Sequence, residues 1–492
     1  MRKYIFLFFA ILLLGDELSY TQLKLAAAKS QFLYTVMKID STLYLGGDKL
    51  ILKSTGTGID DWTGINTDIK DIQRFHKYKE KIIAVANSGI YEINNPQSNS
   101  PKINTGILTA ACLLTLEDVW LAGITSDGVY RSIDQGKNWI YNPKYDNDSL
   151  ADVSSLLEVG SKILAVTARG LQSSIDRGLS WKKIDTTITG VWYCGNTLIN
   201  SGDTIYAGGE GGLLRSIDGA QTWESLGLSN VRNIIIAANK IFVMTMSSIY
   251  FSRDKGETWL QISPVGYESG WSFQPSCLEV FGENLFVATT RGLYYIPLIY
   301  LDSPRLQLTT EGEINFGNIA VTDVKDTAIA IANIGYKELV VTDIICNSSD
   351  IEITPRTFTL PPQGGMALSI KVQTRQTGSI NEKMIIKSNS LEGTEEIPIM
   401  VNVLPIDYQL GQNYPNPFNP YTTIRYQISD IRHVVISIYN SLGEKVSTVL
   451  DEVIEPGKHE VVFDASKLSS GIYFYKITAG DYVETKKMLL VK

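Results

Sequence analysis

The sequence predicts an all-β chain, a seven-bladed β-propeller followed by two immunoglobulin-like β-sandwiches. Three observations carry that prediction. A short box recurs four times, a strand pattern recurs about every 40 residues as far as residue 299, and beyond it short alternating segments replace that rhythm. The 40 glycines, the 10% aromatic content and the scarcity of helical periodicity agree with β-structure throughout.

The box comes first because everything before residue 300 aligns on it. Ser132-x-Asp134-x-Gly136-x-x-Trp139 returns as Ser174-x-Asp176-x-Gly178-x-x-Trp181 and as Ser252-x-Asp254-x-Gly256-x-x-Trp259. A fourth copy, Ser216-x-Asp218-Gly219-x-x-x-Trp223, has its glycine one place earlier. These are the residues of a tight strand-to-strand turn. Ser and Asp bond back to nearby backbone N–H groups, the glycine supplies a positive φ, and the tryptophan covers the turn. Apolar pairs precede each copy, for example Ile163–Val166 before Gly170 and Ile205–Ala207 before Gly212. Aligning these finds three degenerate units, with anchors at 54, 93, 132, 174, 216, 252 and 296 in all. Seven units of that length suit seven four-stranded blades.

The Gly-His and Trp-Asp signatures of the WD type are absent from these units. The boxes resemble instead those of the Asp-box (BNR-like) propellers, a group that includes sialidases, xyloglucan hydrolases, sortilin-type receptors and photosystem II assembly factors. The resemblance covers residues 30–299 and implies a fold more than a function.

At the N-terminus, Met1-Arg-Lys3 and the apolar run Tyr4–Leu14 read as a secretory signal peptide, too short to span a bilayer. Ser19-Tyr-Thr21 before Gln22 offers small residues at the offsets needed for cleavage, and Ala26–Ala28 offers a second set. The domains expected are a signal peptide over 1–21, the propeller over 22–299, an Ig-like sandwich over 300–405 and a second small sandwich over 406–492. No cysteine follows the apolar run closely, so a lipoprotein is not expected. A net charge of −8 without a basic block argues against nucleic acid or an anionic membrane as partner. The four cysteines, Cys112, Cys194, Cys277 and Cys346, have no metal-ligand or disulfide-framework spacing, and buried free thiols are expected.

Past Leu301, about seven short strands in about 100 residues, broken by Pro361-Pro362 and Gly364-Gly365, suit an Ig-like sandwich. Ile314-Asn-Phe-Gly-Asn318 and Ile331-Ala-Asn-Ile-Gly335 resemble the Hydin-like modules called choice-of-anchor D in bacterial surface proteins, which implies a spacer. The last segment carries Asn413-Tyr414-Pro415-Asn416-Pro417-Phe418-Asn419-Pro420, then Gly443, Gly471 and Tyr473, and ends in Lys486-Lys-Met-Leu-Leu-Val-Lys492. In order and spacing it resembles the type A (Por) C-terminal sorting domain of type IX secretion cargo. That implies the type IX machinery as partner, passage through the periplasm, and release or attachment to surface lipopolysaccharide. The proline-rich opening is expected to hold an extended arm that cannot join a sheet ladder.

No catalytic residue and no cofactor is expected. The box carboxylates sit in separate turns with local bonding work, so they cannot form the acid and base or nucleophile of a glycosidase. The arginine triad and tyrosine nucleophile of sialidases are missing, and Tyr295-Ile-Pro297 lacks the arginine of their usual opening. With only His76, His433 and His459, a histidine metal cluster is not expected, and Asp146-Asn-Asp148 with Asp152 lacks a full calcium ligand pattern. A ligand is expected on the face opposite the boxes. Arg169 and Arg291 fall there at matching places, with Tyr145, Trp192, Tyr267 and Trp271 in long inter-blade loops. The function expected is non-catalytic binding of a glycan or protein at the cell surface. A divergent polysaccharide-active hydrolase or lyase is the rival, and a structural surface component the third reading.

Overall fold

A computed structural model describes residues 24–27, 32–65, 67–93, 103, 110–125, 127–141, 152–184, 197–246, 248–262, 275–309 and 312–492. Contacts divide these between one unit that ends at Asp302 and another that begins at Ser303.

The first unit is a ring of seven sheets. Six follow chain order over 33–65, 72–93, 110–141, 153–183, 198–225 and 231–262, each with neighbouring strands antiparallel; the second shows three strands among the described residues. The seventh sheet joins Pro275–Phe281, Asn284–Thr289 and Gly292–Pro297 to Lys24–Ala27, so the start of the chain supplies the outer strand of the last blade. Blade seven then meets blade one. The Ser276 hydroxyl donates to the Leu33 carbonyl (2.6 Å) and the Cys277 thiol to the Val36 carbonyl (3.3 Å). The blade interfaces are apolar: Leu33, Val36 and Leu43 pack with Phe281, Phe286 and Ala288 across the closing seam.

The chain leaves the ring through a helical turn, Leu298–Leu301, and Asp302. Asp302 pairs with Lys240 (2.7 Å) and Arg253 (3.3 Å) of blade six, and Arg253 also donates to the Leu301 carbonyl.

The boxes join the third and fourth strands of their blades and share one bonding scheme. In blade three the Ser132 hydroxyl donates to Asp134 (2.7 Å), and the Gly136 N–H donates to the Ser132 oxygen (2.9 Å). Asp134 also accepts from the backbone and side chain of Asn138 (2.8 and 2.7 Å). Ser180, Thr222 and Thr258 repeat the part of Asn138 with Asp176, Asp218 and Asp254. Two consecutive residues turn left-handed, Gln135-Gly136, Arg177-Gly178 and Lys255-Gly256, with φ of 58–59° then 82–97°. In the fourth copy that pair is Gly219-Ala220 (φ 72° and 66°), which explains the shifted glycine: one of the two places needs it, and either will serve. Trp181, 4% exposed, packs against Leu116, Val119 and Leu121 of blade three, so its box fastens one blade to the one before.

The second unit holds two β-sandwiches. The first pairs a four-stranded sheet with a five-stranded one around Ile331, Val341, Ile344, Leu368, Ile370 and Ile399. It has nine strands; Ile351–Thr354 and Phe358–Leu360, short and separated by Pro355, add to the seven expected. Asn333 explains its motif, since its amide donates to the Lys337 and Leu360 carbonyls and accepts from the Gly335 N–H. The second sandwich pairs the strands Gln409–Leu410, Tyr421–Ile428 and Gly457–Asp464 with Lys445–Ile454, Arg432–Tyr439, Gly471–Ala479 and Tyr482–Leu490. Phe418, Ile424, Ile436, Tyr475 and Met488 fill it.

Candidate functional site

The face opposite the boxes follows from strand order. Each innermost strand starts there, and so do the turns between second and third strands. Residue by residue, the innermost strands are the same device. In six blades a β-bulge sits at the second residue, which is Tyr34, Gln73, Ala111, Ser154, Arg232 or Ser276. Bulges at a barrel rim re-aim the side chains beside them. The third and fifth residues then line the central channel.

At the third place most blades put a small residue, Thr35, Cys112, Ser155, Thr197 or Cys277, but blade two has Arg74 and blade six Asn233. At the fifth place Met37, Leu114, Leu157, Ile199 and Ile235 make an apolar belt, interrupted by His76 in blade two and Glu279 in blade seven. The register assigns these places: His76 faces Ile83 just as Leu157 faces Leu164 and Glu279 faces Phe286. A cavity of about 120 Å³ lies among Thr35, Arg74, His76, Asn233, Cys277 and Glu279.

The Arg74 guanidinium reaches past blade three to the Ser154 carbonyl of blade four (2.9 Å). His76 shares a 2.6 Å hydrogen bond with the Thr115 hydroxyl. Burial, seconded by the Arg74 charge, holds the imidazole pKa down to about 4, so the ring is neutral at pH 7. Glu279 accepts from the Lys38 N–H and the Val280 N–H (both 2.9 Å). Burial nonetheless raises its carboxyl above the usual range. Burial pushes the Cys112 thiol to about 11 and raises Cys277 as well, so both are inert thiols.

Among the other expected site residues, Arg169 and Arg291 are exposed and occupy matching turns. Their N–H groups bond to Thr167 and Thr289 (3.1 and 3.0 Å), whose hydroxyls donate to the Gly170 and Gly292 carbonyls (2.8 Å each). They stand on blades four and seven, with two blades between, so the structure does not bring them together. Tyr145, Trp192, Tyr267 and Trp271 lie outside the described residues, as do Cys194 and Asp146–Asp148. Asp152 is described, and among the described residues no cluster of metal-ligating side chains occurs.

Sequence reading missed Arg74, His76 and Glu279, because a residue that occurs once in a repeat leaves no pattern. It also missed Asp61. The Ser54 hydroxyl donates to Asp61 (2.5 Å) and the Gly58 N–H to both Ser54 (3.0 Å) and Asp61 (2.9 Å), a box whose carboxylate stands seven residues on instead of two. Its position just before Trp62 was the available signal.

The sorting motif is a second site. Asn413 is buried; its amide donates to Thr422 (2.9 Å) and Pro415 (3.2 Å), and its N–H to the Tyr475 hydroxyl (2.9 Å). Asn416 accepts from the Leu489 N–H (2.9 Å), and the Pro420 carbonyl from Ala465 (2.9 Å). The arm does join the sheets, contrary to expectation. Tyr414 exchanges two backbone bonds with Thr423, and Phe418 bonds Leu489 and Val491, because these two residues keep N–H groups that the prolines between them lack. Pro415, Asn416, Pro417 and Asn419 are exposed, and Tyr414 is 75% exposed. Gly443 takes a φ of 83° in a tight turn after Asn440, and the Tyr473 hydroxyl donates to the Ser469 carbonyl (2.9 Å).

Residues 412–492 match the family described as a secretion system C-terminal sorting domain. The chain is type IX secretion cargo. Its address is the cell surface or the space beyond it. Residues 304–402 match the HYDIN/CFA65/VesB-like Ig-like domain. No curated protein matches the chain. Among solved structures, an extracellular domain of B. thetaiotaomicron, BT4673, aligns at 10% identity and a TM-score of 0.45, over 78% of this chain and 59% of that one. YCF48 bound to a D1 peptide aligns at 14% and 0.41, over 56% and 94%. PorZ, a surface component of the type IX secretion system of Porphyromonas gingivalis, aligns at 12% and 0.21, over 94% and 81%. At such scores the fold rests on the sheets themselves.

Proposed function

We propose that the propeller is a non-catalytic binding module carried outside the cell by the sorting domain, for a glycan or protein ligand. The ligand meets the face opposite the boxes, at the channel mouth, with Arg169 and Arg291 on the rim. One observation carries this. Of the seven equivalent wall places at each level, only those of blades two, six and seven bear Arg74, His76, Asn233 and Glu279, and their donors and acceptors converge on one cavity. A guanidinium, an amide and a carboxylate in a partly apolar wall fix a ligand's orientation. The hydrolase reading needs a carboxylate pair, and among the described residues lining that cavity Glu279 is the single carboxylate.

The test is to screen the full exported chain against a glycan array and native surface proteins. Ligand capture lost in Arg74→Met and kept in Asp134→Asn is the expected result. Turnover of a polysaccharide, abolished by Glu279→Gln, sinks the binding reading in favour of the hydrolase. Capture that survives Arg74→Met moves the site away from the channel.

A further inference from the structure

The blade that closes the ring bears on where the precursor is cut. In blade six the outer strand, Leu260–Ile262, follows its own box directly in sequence. Blade seven has no such continuation. After Pro297 the chain enters the turn Leu298–Leu301 and is anchored at Asp302 to Lys240 and Arg253, so none of these residues can turn back along Gly292–Pro297. The partner of that strand is Lys24–Ala27, antiparallel, with Lys24 opposite Tyr295, Leu25 opposite Tyr294 and Ala27 opposite Leu293.

Two bonds near the N-terminus carry small residues at the positions a signal peptidase reads, the one after Thr21 (with Ser19) and the one after Ala28 (with Ala26). Sequence does not choose between them, but the sheet does. Cleavage after Ala28 removes the closing strand together with the leader. It leaves Gly292–Pro297 as a bare edge with unpaired N–H and C=O groups, the kind of edge that recruits other chains. Cleavage after Thr21 leaves the strand in place behind two residues, Gln22 and Leu23.

We infer that the precursor is processed at the Thr21–Gln22 bond and that Lys24–Ala27 is the ring-closing strand of the mature protein. The step is a hydrolysis: water adds across the amide, leaving a carboxylate on Thr21 and a free amino group on Gln22. The inference rests on reading residues 1–21 as an export signal, and its test separates the two.

The exported wild-type chain is recovered from the medium or surface of a type IX-competent host and its first residues are sequenced. Gln22 is the expected start. A start at Lys29, or at any residue past Lys24, overturns the assignment and leaves the signal reading intact; an uncut chain beginning at Met1 overturns both. Substitution gives an independent arm. Thr21→Arg is expected to block processing while Ala28→Arg leaves the start unchanged, and the reverse pattern overturns the proposal. Purified chains beginning at Gln22 and at Lys29 then report on the strand itself. The shorter is expected to melt several degrees lower and to exchange the amides of Gly292–Ile296 at least tenfold faster. Equal melting and equal exchange would show that the ring does not need the strand.

Discussion

Asp134, Asp176, Asp218 and Asp254 occupy equivalent places in four blades and make equivalent bonds, whereas Arg74, His76 and Glu279 occupy wall places that other blades fill with uncharged residues, mostly Thr, Ser, Cys, Leu, Ile or Met. The two regions are built on the same repeat, yet they use it in opposite ways. On the box face a residue is kept because every blade has the same turn to close. On the channel wall a residue stands out because only one blade has it, and it carries a charge or an imidazole into a half-buried setting that backbone closure does not require. Repetition marks what holds the ring; departure from repetition marks the channel wall.

The strongest way to break that comparison is to remove a box tryptophan. Trp181→Ala is expected to cost about 3–5 kcal/mol, as buried aromatic truncations do, because it empties the seam between blades three and four. Denaturant unfolding of the full chain measures it. An unchanged midpoint would mean that the boxes do not hold blades together.

A smaller effect comes from the wall. His76 has a folded pKa of about 4 against about 6.5 when unfolded, so its contribution is complete above pH 6.5 and is lost as pH falls towards 4. The loss amounts to at most about 3 kcal/mol. Glu279 works against it: its raised pKa means that folding is favoured as the carboxyl protonates on acidification. The pH 4–6.5 slope of stability is therefore expected to steepen in Glu279→Gln and to flatten in His76→Gln. Identical slopes in both variants and wild type would remove the wall from the account.

The smallest effect should appear at a box carboxylate, which lies at the surface. The Asn138 N–H, the Ser132 hydroxyl and the Asn138 amide hold Asp134 down to about 2, so what it adds is present above pH 3.9 and lost between there and pH 2. Asp134→Asn should differ from wild type at pH 7 and converge with it near pH 2, a window separate from that of His76. A difference that persists at pH 2 would contradict the bonding scheme.

The same contrast explains what could be read in the sequence. Ser132, Asp134, Gly136 and Trp139 were legible because their spacing recurs, and Asn413–Pro420 because prolines at fixed offsets are rare. Asp61 was hidden by a loop that moves the carboxylate five residues along while restoring the same bonds to Ser54 and Gly58. Lys24–Ala27 was hidden because its partner lies some 270 residues later in the chain, and no local pattern announces such a pairing. Arg74 and Glu279 look like ordinary surface residues until the bulges and the register place them in the channel.

Asp302 has a mechanical meaning. Tension on the chain from its C-terminal side would, with a plain linker, peel Gly292–Pro297 off its sheet one bond at a time. Here the ion pairs to Lys240 and Arg253, with the Arg253 bond to Leu301, lie in parallel with that strand and pass the load to blade six. Blade six is a covalently continuous sheet; blade seven is the one held shut by a separate strand. The pull would thus reach blade six first, at the residue where the chain leaves the ring.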